Sequence, residues 1–450
     1  MLFCDKGSWH GYRWADDALF EYVVLTDGSS GRIHCQAPVL GRLVYDDRLE
    51  AVVPGGRIVL RFVDPRTAEI RVPPSVVLAA DAGTLDFVAV APGRYRHVMA
   101  NGPIFSATGL ADLPRTLRWN WRQPLGDIRH GGLIPSPHAY RGFWAWDSWK
   151  HAAALPTDLA REQIAAMFDH QRPDGMVPDT VMFDARRNNW RCSKPPLAAW
   201  ACAQHSGLLN EFRPVLLAYH EWWERNRQPP GERLFAYGGR DLVASKWESG
   251  WDNATRFDGI VLVGDVQNVL AVDLNAYMCL EKRLLGMPDP ELERRVNEVF
   301  FHNGAFCDVA WPDHRPIPTL TAATWIPLWC GIATPDRAES VIRLMCDPAH
   351  FNTPLPFPSV AKSDPKFDPD GYWRGSVWMD HAAWAVEVLA RYGYQREARE
   401  AGERLLKAEP DWECYNPLTG APAAGQRPAV PQFSWTAAAR LAIQKVLNDT

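Results

Sequence analysis

The chain of 450 residues has no block of lysine or arginine, and its formal net charge is -5. Nothing in it recommends a nucleic acid or an acidic lipid surface as a partner. No stretch reaches the roughly 18 apolar residues of a membrane span. The start, Met1-Leu-Phe-Cys-Asp-Lys-Gly7, lacks a basic region followed by an apolar run, so no signal peptide is expected. The nine cysteines are odd in number, scattered and without a CxxC pair, which fits thiols in a reducing cytosol better than a disulfide framework. The 13 histidines show no metal-ligand spacing, so neither metal nor organic cofactor is expected. No simple repeat is visible.

What the chain has in excess is tryptophan, 21 residues. Tryptophan offers a flat, rigid face on which the C–H face of a sugar ring stacks, although most tryptophans in most proteins pack cores. The chain is too long for one ordinary domain unless that domain is a large closed barrel.

Residues 1–115 carry a β pattern. Gly56–Val63, Thr67–Val72 and Thr84–Val90 alternate apolar and polar positions, with turn formers at Pro54-Gly55-Gly56, Asp64-Pro65-Arg66 and Pro92-Gly93. A small antiparallel sandwich without a catalytic constellation is expected. Residues 116–139 read as a linker. From 140 to 450, about eleven helical segments with three- and four-residue apolar spacing follow one another. The long connections 172–194, 240–264, 350–374 and 409–431 are dense in Trp, Asp, Glu, Arg and Gly. A mainly α fold is expected, an (α/α)6 barrel whose loops form a funnel at one end.

Five segments carry candidate chemistry. In Arg141-Gly-Phe-Trp-Ala-Trp-Asp147, Trp144 and Trp146 frame a pocket and Asp147 accepts from two sugar hydroxyls; alternatively, Asp147 or Ser148 caps the next helix. Asp174-Gly-Met-Val-Pro-Asp179 forms a shaped turn, and Lys194-Pro195-Pro196 sets a cation before a helix start. Trp247-Glu-Ser-Gly-Trp-Asp252-Asn-Ala-Thr-Arg-Phe-Asp258 puts three carboxylates and Arg256 among aromatics. A carboxylate so desolvated suits a general acid, and Asp252 stands at the centre, with Arg256 placed to hold a neighbouring carboxylate ionised. Gly371–His381 offers Trp373 and Trp378 as stacking faces around Arg374, with a helix starting near Ser376. Glu413, before an Asn-Pro turn, supplies a second carboxylate on a separate loop, as glycoside hydrolysis requires.

The ordered set FWAWDSWKHA, DGMVPD, SKPPLAAW, ESGWDNATRFD, YWRGSVW and ECYNPLTG, over about 140–440, resembles glycoside hydrolase family 63. It is similar to the related mannosylglycerate and glucosylglycerate hydrolases and, more distantly, to trehalases. The resemblance implies an (α/α)6 barrel and an inverting mechanism on a short α-glucoside or α-mannoside. It puts the general acid on Asp252, the general base on Glu413 and a hydroxyl-binding role on Asp147. It further implies that Trp144, Trp146, Lys194, Trp247, Glu248, Arg256, Trp373, Arg374 and Trp435 line the pocket. The β-rich region is shorter than in the family's processing α-glucosidases, and the barrel is compact between Asp252 and Glu413.

Two rivals stand beside this cytoplasmic inverting hydrolase. One is a sugar epimerase on the same toroid, with His151 and His381 as its paired histidines. The other is a non-catalytic carbohydrate-binding relative. Linkage and aglycone are open. A glycerate-bearing substrate calls for an arginine near its carboxylate, and Arg122, Arg129, Arg141 and Arg256 are all candidates.

Overall fold

The computed structural model describes residues 2–5, 8–24, 30–44, 48–64, 67–81, 87–98, 113–122 and 127–449. They divide into two compact units, Met1–Phe143 with Met182–Asn188, and Trp144–Val181 with Asn189–Thr450.

The first unit holds β1 (Leu2–Asp5), β2 (Ser8–Trp14), β3 (Phe20–Val24), β4 (Ser30–Cys35), β5 (Gly41–Val44), β6 (Arg48–Val53), β7 (Gly56–Asp64), β8 (Thr67–Arg71), β9 (Leu78–Ala80), β10 (Phe87–Ala91) and β11 (Arg94–Val98). They form two antiparallel sheets, ordered β1-β2-β3-β4-β9 and β10-β11-β8-β7-β6-β5. Alternation decides the buried face: Ile58 and Leu60 of β7 and Ala68 and Ile70 of β8 join one core with Tyr12, Phe20 and Ile33 of the other sheet. Pro54-Gly55 closes the β6–β7 hairpin, with Gly55 at φ 86° in the position that a type II turn reserves for glycine. The expected strand Thr84–Val90 is Phe87–Ala91, and residues 82–86 lie outside the described set, as do Pro65 and Arg66. The segment read as a linker differs from that reading. Arg115–Asn120 is a helix, α1, that buries Thr116, Leu117 and Asn120, and Trp121–Arg122 pairs with Gly132–Leu133 within the first unit.

The second unit is helical. It holds α2 (Ala145–Ala154), α3 (Thr157–Phe168), α4 (Ala198–Ala203), α5 (Leu208–Glu211), α6 (Arg213–Asn226), α7 (Leu242–Glu248), α8 (Val272–Leu284), α9 (Pro290–Phe300), α10 (Ile326–Trp329), α11 (Pro335–Cys346), α12 (Met379–Arg391), α13 (Gln395–Lys407) and α14 (Ser434–Asp449). The helices α2, α4, α8, α10, α12 and α14 touch one another in a closed cycle, α14 returning to α2. Others back them: α3 lies on α2, α9 on α8, and α13 on α12 and α14. Burial separates the two classes. The cycle member α12 buries ten of its 13 residues, whereas α13 buries only Ala398, Ala401, Gly402 and Leu405. A helix apolar nearly all round belongs inside, and one with a narrow apolar stripe belongs at the surface.

Among the described residues no helix is long and apolar enough to cross a membrane.

Candidate active site

The four long connections are sewn together by their own hydrogen bonds. Asn253 donates to the carbonyl of Gly371 at 3.1 Å and accepts from the Trp373 N–H at 3.0 Å. Arg374 grips Asp258 at 3.0 and 3.1 Å. Val377 and Tyr415 exchange backbone bonds of 2.8 and 2.9 Å. Lys194 donates to the carbonyl of Trp247 and lies 3.3 Å from Asp179. Segments far apart in sequence thereby form one rim at the N-terminal ends of α2, α12 and α14.

Asp252 sits on this rim with a fifth of its side chain exposed, and Arg427 donates to its Oδ2 at 2.9 Å. The Arg427 guanidinium lies 4.1 Å over the Tyr372 ring. The Tyr372 hydroxyl donates to Glu413 Oε1 at 2.8 Å, and the Val430 N–H donates to Oε2 at 3.2 Å. Glu413 is 1% exposed. One cation and one phenol therefore bridge two carboxylates from separate loops. Gly250 makes the approach of the 247–258 loop possible. Its φ is 79°, and a Cβ there would meet the Trp146 indole nitrogen at 2.9 Å.

Asp147 lies in the first turn of α2. That helix begins at Ala145, three residues before the start near Ser148 that either cap implies, so neither Asp147 nor Ser148 is its cap. The Asp147 side chain accepts no hydrogen bond from a described residue. Burial pushes its carboxyl up to about 7, against the pull of the Lys150 and Lys194 charges and with the Asp380 and Glu413 charges adding to the rise. Lys194 moves the other way: burial opposes its charge, but Asp179, Asp252 and Asp147 more than offset that and hold the ammonium up at about 12. A buried, electron-rich oxygen pair with no protein donor is equipped to receive ligand hydroxyls.

Several expected pocket residues are used otherwise. Glu248 is wholly buried, held by Arg227 at 2.5 and 2.6 Å and by the N–H groups of Ser193 and Gly238, so its oxygens are filled. Arg256 is buried and holds Asp273 and Asp308, not Asp252. Trp373 is 1% exposed because Trp251 stacks 5.1 Å on one side and Trp378 3.9 Å on the other. Its faces and those of Trp378 are taken by aromatic packing and are closed to a sugar. Trp146 and Trp435 are buried with the Lys150 ammonium between them, 3.4 and 3.9 Å from the two rings. Trp144 and Trp247 keep partly exposed surface. Arg374 positions the 253–258 segment through Asp258 and the Asn253 carbonyl. The α12 helix starts at Met379, three residues after the expected Ser376. His151 is wholly buried, both ring nitrogens lack a hydrogen-bond partner, and burial keeps the imidazole down at about 3. His381 is boxed in by Trp146, Trp251, Trp373 and Trp384.

The sequence reading missed Arg427, which stands in Gln426-Arg427-Pro428 without a motif signal, and the Tyr372 hydroxyl. It also missed Asp380, which bonds Lys150, although the spacing of Lys150 and Asp147 on one helix hinted at a charged floor.

The mannosylglycerate hydrolase MGH1-like glycoside hydrolase domain matches residues 140–283 and 290–436. The chain belongs to this family of glycoside hydrolases. This MGH1-like hydrolase is 35% identical over 448 residues to a glucosylglycerate hydrolase of Mycolicibacterium hassiacum, covering 80% of the chain and 94% of the relative. It is 26% identical over 426 residues to the mannosylglycerate hydrolase MGH1 of Selaginella moellendorffii, covering 71% and 84%. In fold it is similar to the GH63 mannosylglycerate hydrolase of Thermus thermophilus solved with Tris and D-glycerate. The TM-score is 0.60, with 21% identity over 73% of this chain and 97% of that one.

Proposed function

We propose that this hydrolase cleaves a short α-glucoside or α-mannoside with inversion, Asp252 acting as general acid and Glu413 as general base. The observation that supports the reading is the bridge from Asp252 through Arg427 and Tyr372 to Glu413, which links two carboxylates from different loops. Asp252 gives a proton to the glycosidic oxygen as the C–O bond breaks. Glu413 takes a proton from the water that attacks the opposite face of the sugar. Asp147, with no protein donor, receives two hydroxyls of the cleaved sugar. Lys194, beside Asp179, adds a donor at the same wall.

The closed cycle of six helices backed by others supports an (α/α)6 toroid. The eight cysteines whose side chains the structure describes are free, in keeping with a cytoplasmic setting. For the aglycone we favour glycerate. The named relatives act on glycerate glycosides, and Arg427 stands beside the acid, where the leaving group must lie. A substrate carboxylate there competes with Asp252 for the guanidinium.

Asp252→Asn and Glu413→Gln each remove nearly all release of free hexose from glucosylglycerate or mannosylglycerate while the melting curve stays cooperative. Full turnover in either variant refutes the assignment. Proton NMR of the first product shows the β-anomer; an initial α-anomer eliminates inversion.

A further inference from the structure

The rim uses the N-terminal ends of the inner helices. The helices α2, α4, α12 and α14 also wall a different cavity of about 640 Å³, which runs from Lys150, Asp380 and Trp435 to Ala154, Arg391 and Asp449. That is in the range of small-molecule sites, roughly 300–1,000 Å³. The space exists because alanines stand where larger side chains would fill it: Ala154 on α2, Ala383 and Ala390 on α12, and Ala438 and Ala442 on α14. The cavity opens to solvent past Lys445 and Asp449, so a ligand can enter it.

The polar equipment is specific. Glu387 reaches the cavity from α12, and its Oε2 accepts the Trp329 indole N–H at 2.8 Å. Its Oε1 accepts from no described residue. Trp200 and Trp384 form apolar walls, their rings meeting edge to face at 6.0 Å. Asp380 also lines the space, and its Oδ1 is buried without a hydrogen-bond partner. The charges balance: Lys150, Arg391 and Lys445 face Asp380, Glu387 and Asp449. A charged ligand gains nothing from a balanced wall, whereas a neutral one finds carboxyl acceptors, cationic donors and indole surface.

We propose that this rear cavity binds an uncharged polyhydroxylated ligand, a hexose or a smaller polyol, as a second site behind the candidate active site. Glu387 Oε1 takes a ligand hydroxyl and the indoles take its C–H face. The two sites share a partition. Lys150 and Asp380 line the rear cavity and bond each other, and their charges act on Asp147 at the front. The proposal does not depend on the roles given to Asp252 and Glu413.

Crystals soaked separately in glucose, mannose and glycerol, together with calorimetric titration of the same ligands, test it. The expected result is ligand density against Glu387 in the rear cavity and a binding class that weakens at least tenfold in both Ala442→Leu, which fills the space, and Glu387→Leu, which removes the acceptor. Thermal melts of both variants establish that they fold. Hexose without glycerol identifies a sugar site, and glycerol as well identifies a polyol site. Water alone in the soaked rear cavity overturns the proposal, as does a titration identical in wild type and both folded variants.

Discussion

The first turns of α2 and α12 each carry a buried aspartate, and the two are held in opposite ways. Burial pushes up the carboxyl of Asp380, but His381, 3.1 Å away, and Lys150 more than offset it and hold the group below the ordinary carboxylate range. Asp147 feels the same lysine without bonding it, and burial wins, bringing it to about 7. Both sit at helix N-termini, where the backbone dipole favours a negative charge. Position in the fold therefore does not separate them; the supply of donors does. One Asp380 oxygen is held by the Lys150 ammonium, which ties that carboxylate to the scaffold. Asp147 bonds no described residue, and the proposed function supplies its partner as a ligand hydroxyl.

Four measurements break or sharpen this comparison. Asp380→Asn strands the Lys150 ammonium between two indoles, and loss of one partner of a buried pair costs about 3–5 kcal/mol in denaturant unfolding. A loss below about 1 kcal/mol would dissolve the contrast. Asp147→Asn leaves no protein partner stranded, so its deficit appears in catalysis: kcat/KM for the glycoside falls roughly 100-fold, about 3 kcal/mol. Unchanged kinetics would remove Asp147 from the sugar subsite. The pH dependence of melting gives the third. With the native carboxyl raised to about 7 and the unfolded one near its ordinary value of 3.8, the native chain alone keeps the proton between those values. Its stability relative to Asp147→Asn therefore falls as pH rises through that window, and the penalty is complete above about 7. The variant should melt with or below wild type near pH 4 and above it at pH 8. A constant difference in melting temperature contradicts the raised value. The smallest effect extends the comparison to Asp252. Arg427→Ala, which frees Asp252 for both substrates, raises KM about tenfold more for glucosylglycerate than for an uncharged glucosylglycerol analogue. Equal changes for both substrates exclude contact with the glycerate carboxylate.

Helical periodicity located the long helices of the second unit to within a few residues at most ends, because each packs one face and the 3.6-residue spacing records it. The short helix α7, Leu242–Glu248, falls in a stretch whose pattern predicts a connection, since seven residues carry too little periodicity. The β pattern was legible for β7 and β8 through strict alternation. Motif order pointed to Asp252, Glu413 and Asp147, three residues that the rim gathers or adjoins. Tryptophan was the weak point. Trp144 and Trp373 look alike in sequence, yet one keeps open surface and the other is sandwiched between indoles. An indole serves both uses, and only its neighbours decide. Arg256 misled for a related reason: nearness in sequence to Asp252 suggested a partner, but its side chain turns inward to Asp273 and Asp308. Arg427, 175 residues from Asp252, had no local signal at all.

The closure of α14 on α2 has a consequence for biogenesis. Lys150 emerges early in translation, yet Trp435, the second ring against its ammonium, begins the last helix. Glu413 and Arg427 also follow most of the unit out of the ribosome. A nascent chain stopped before residue 400 holds Asp252 without Arg427 and an unclosed ring of apolar helices. Such a chain offers chaperones a large sticky seam until α14 docks on α2.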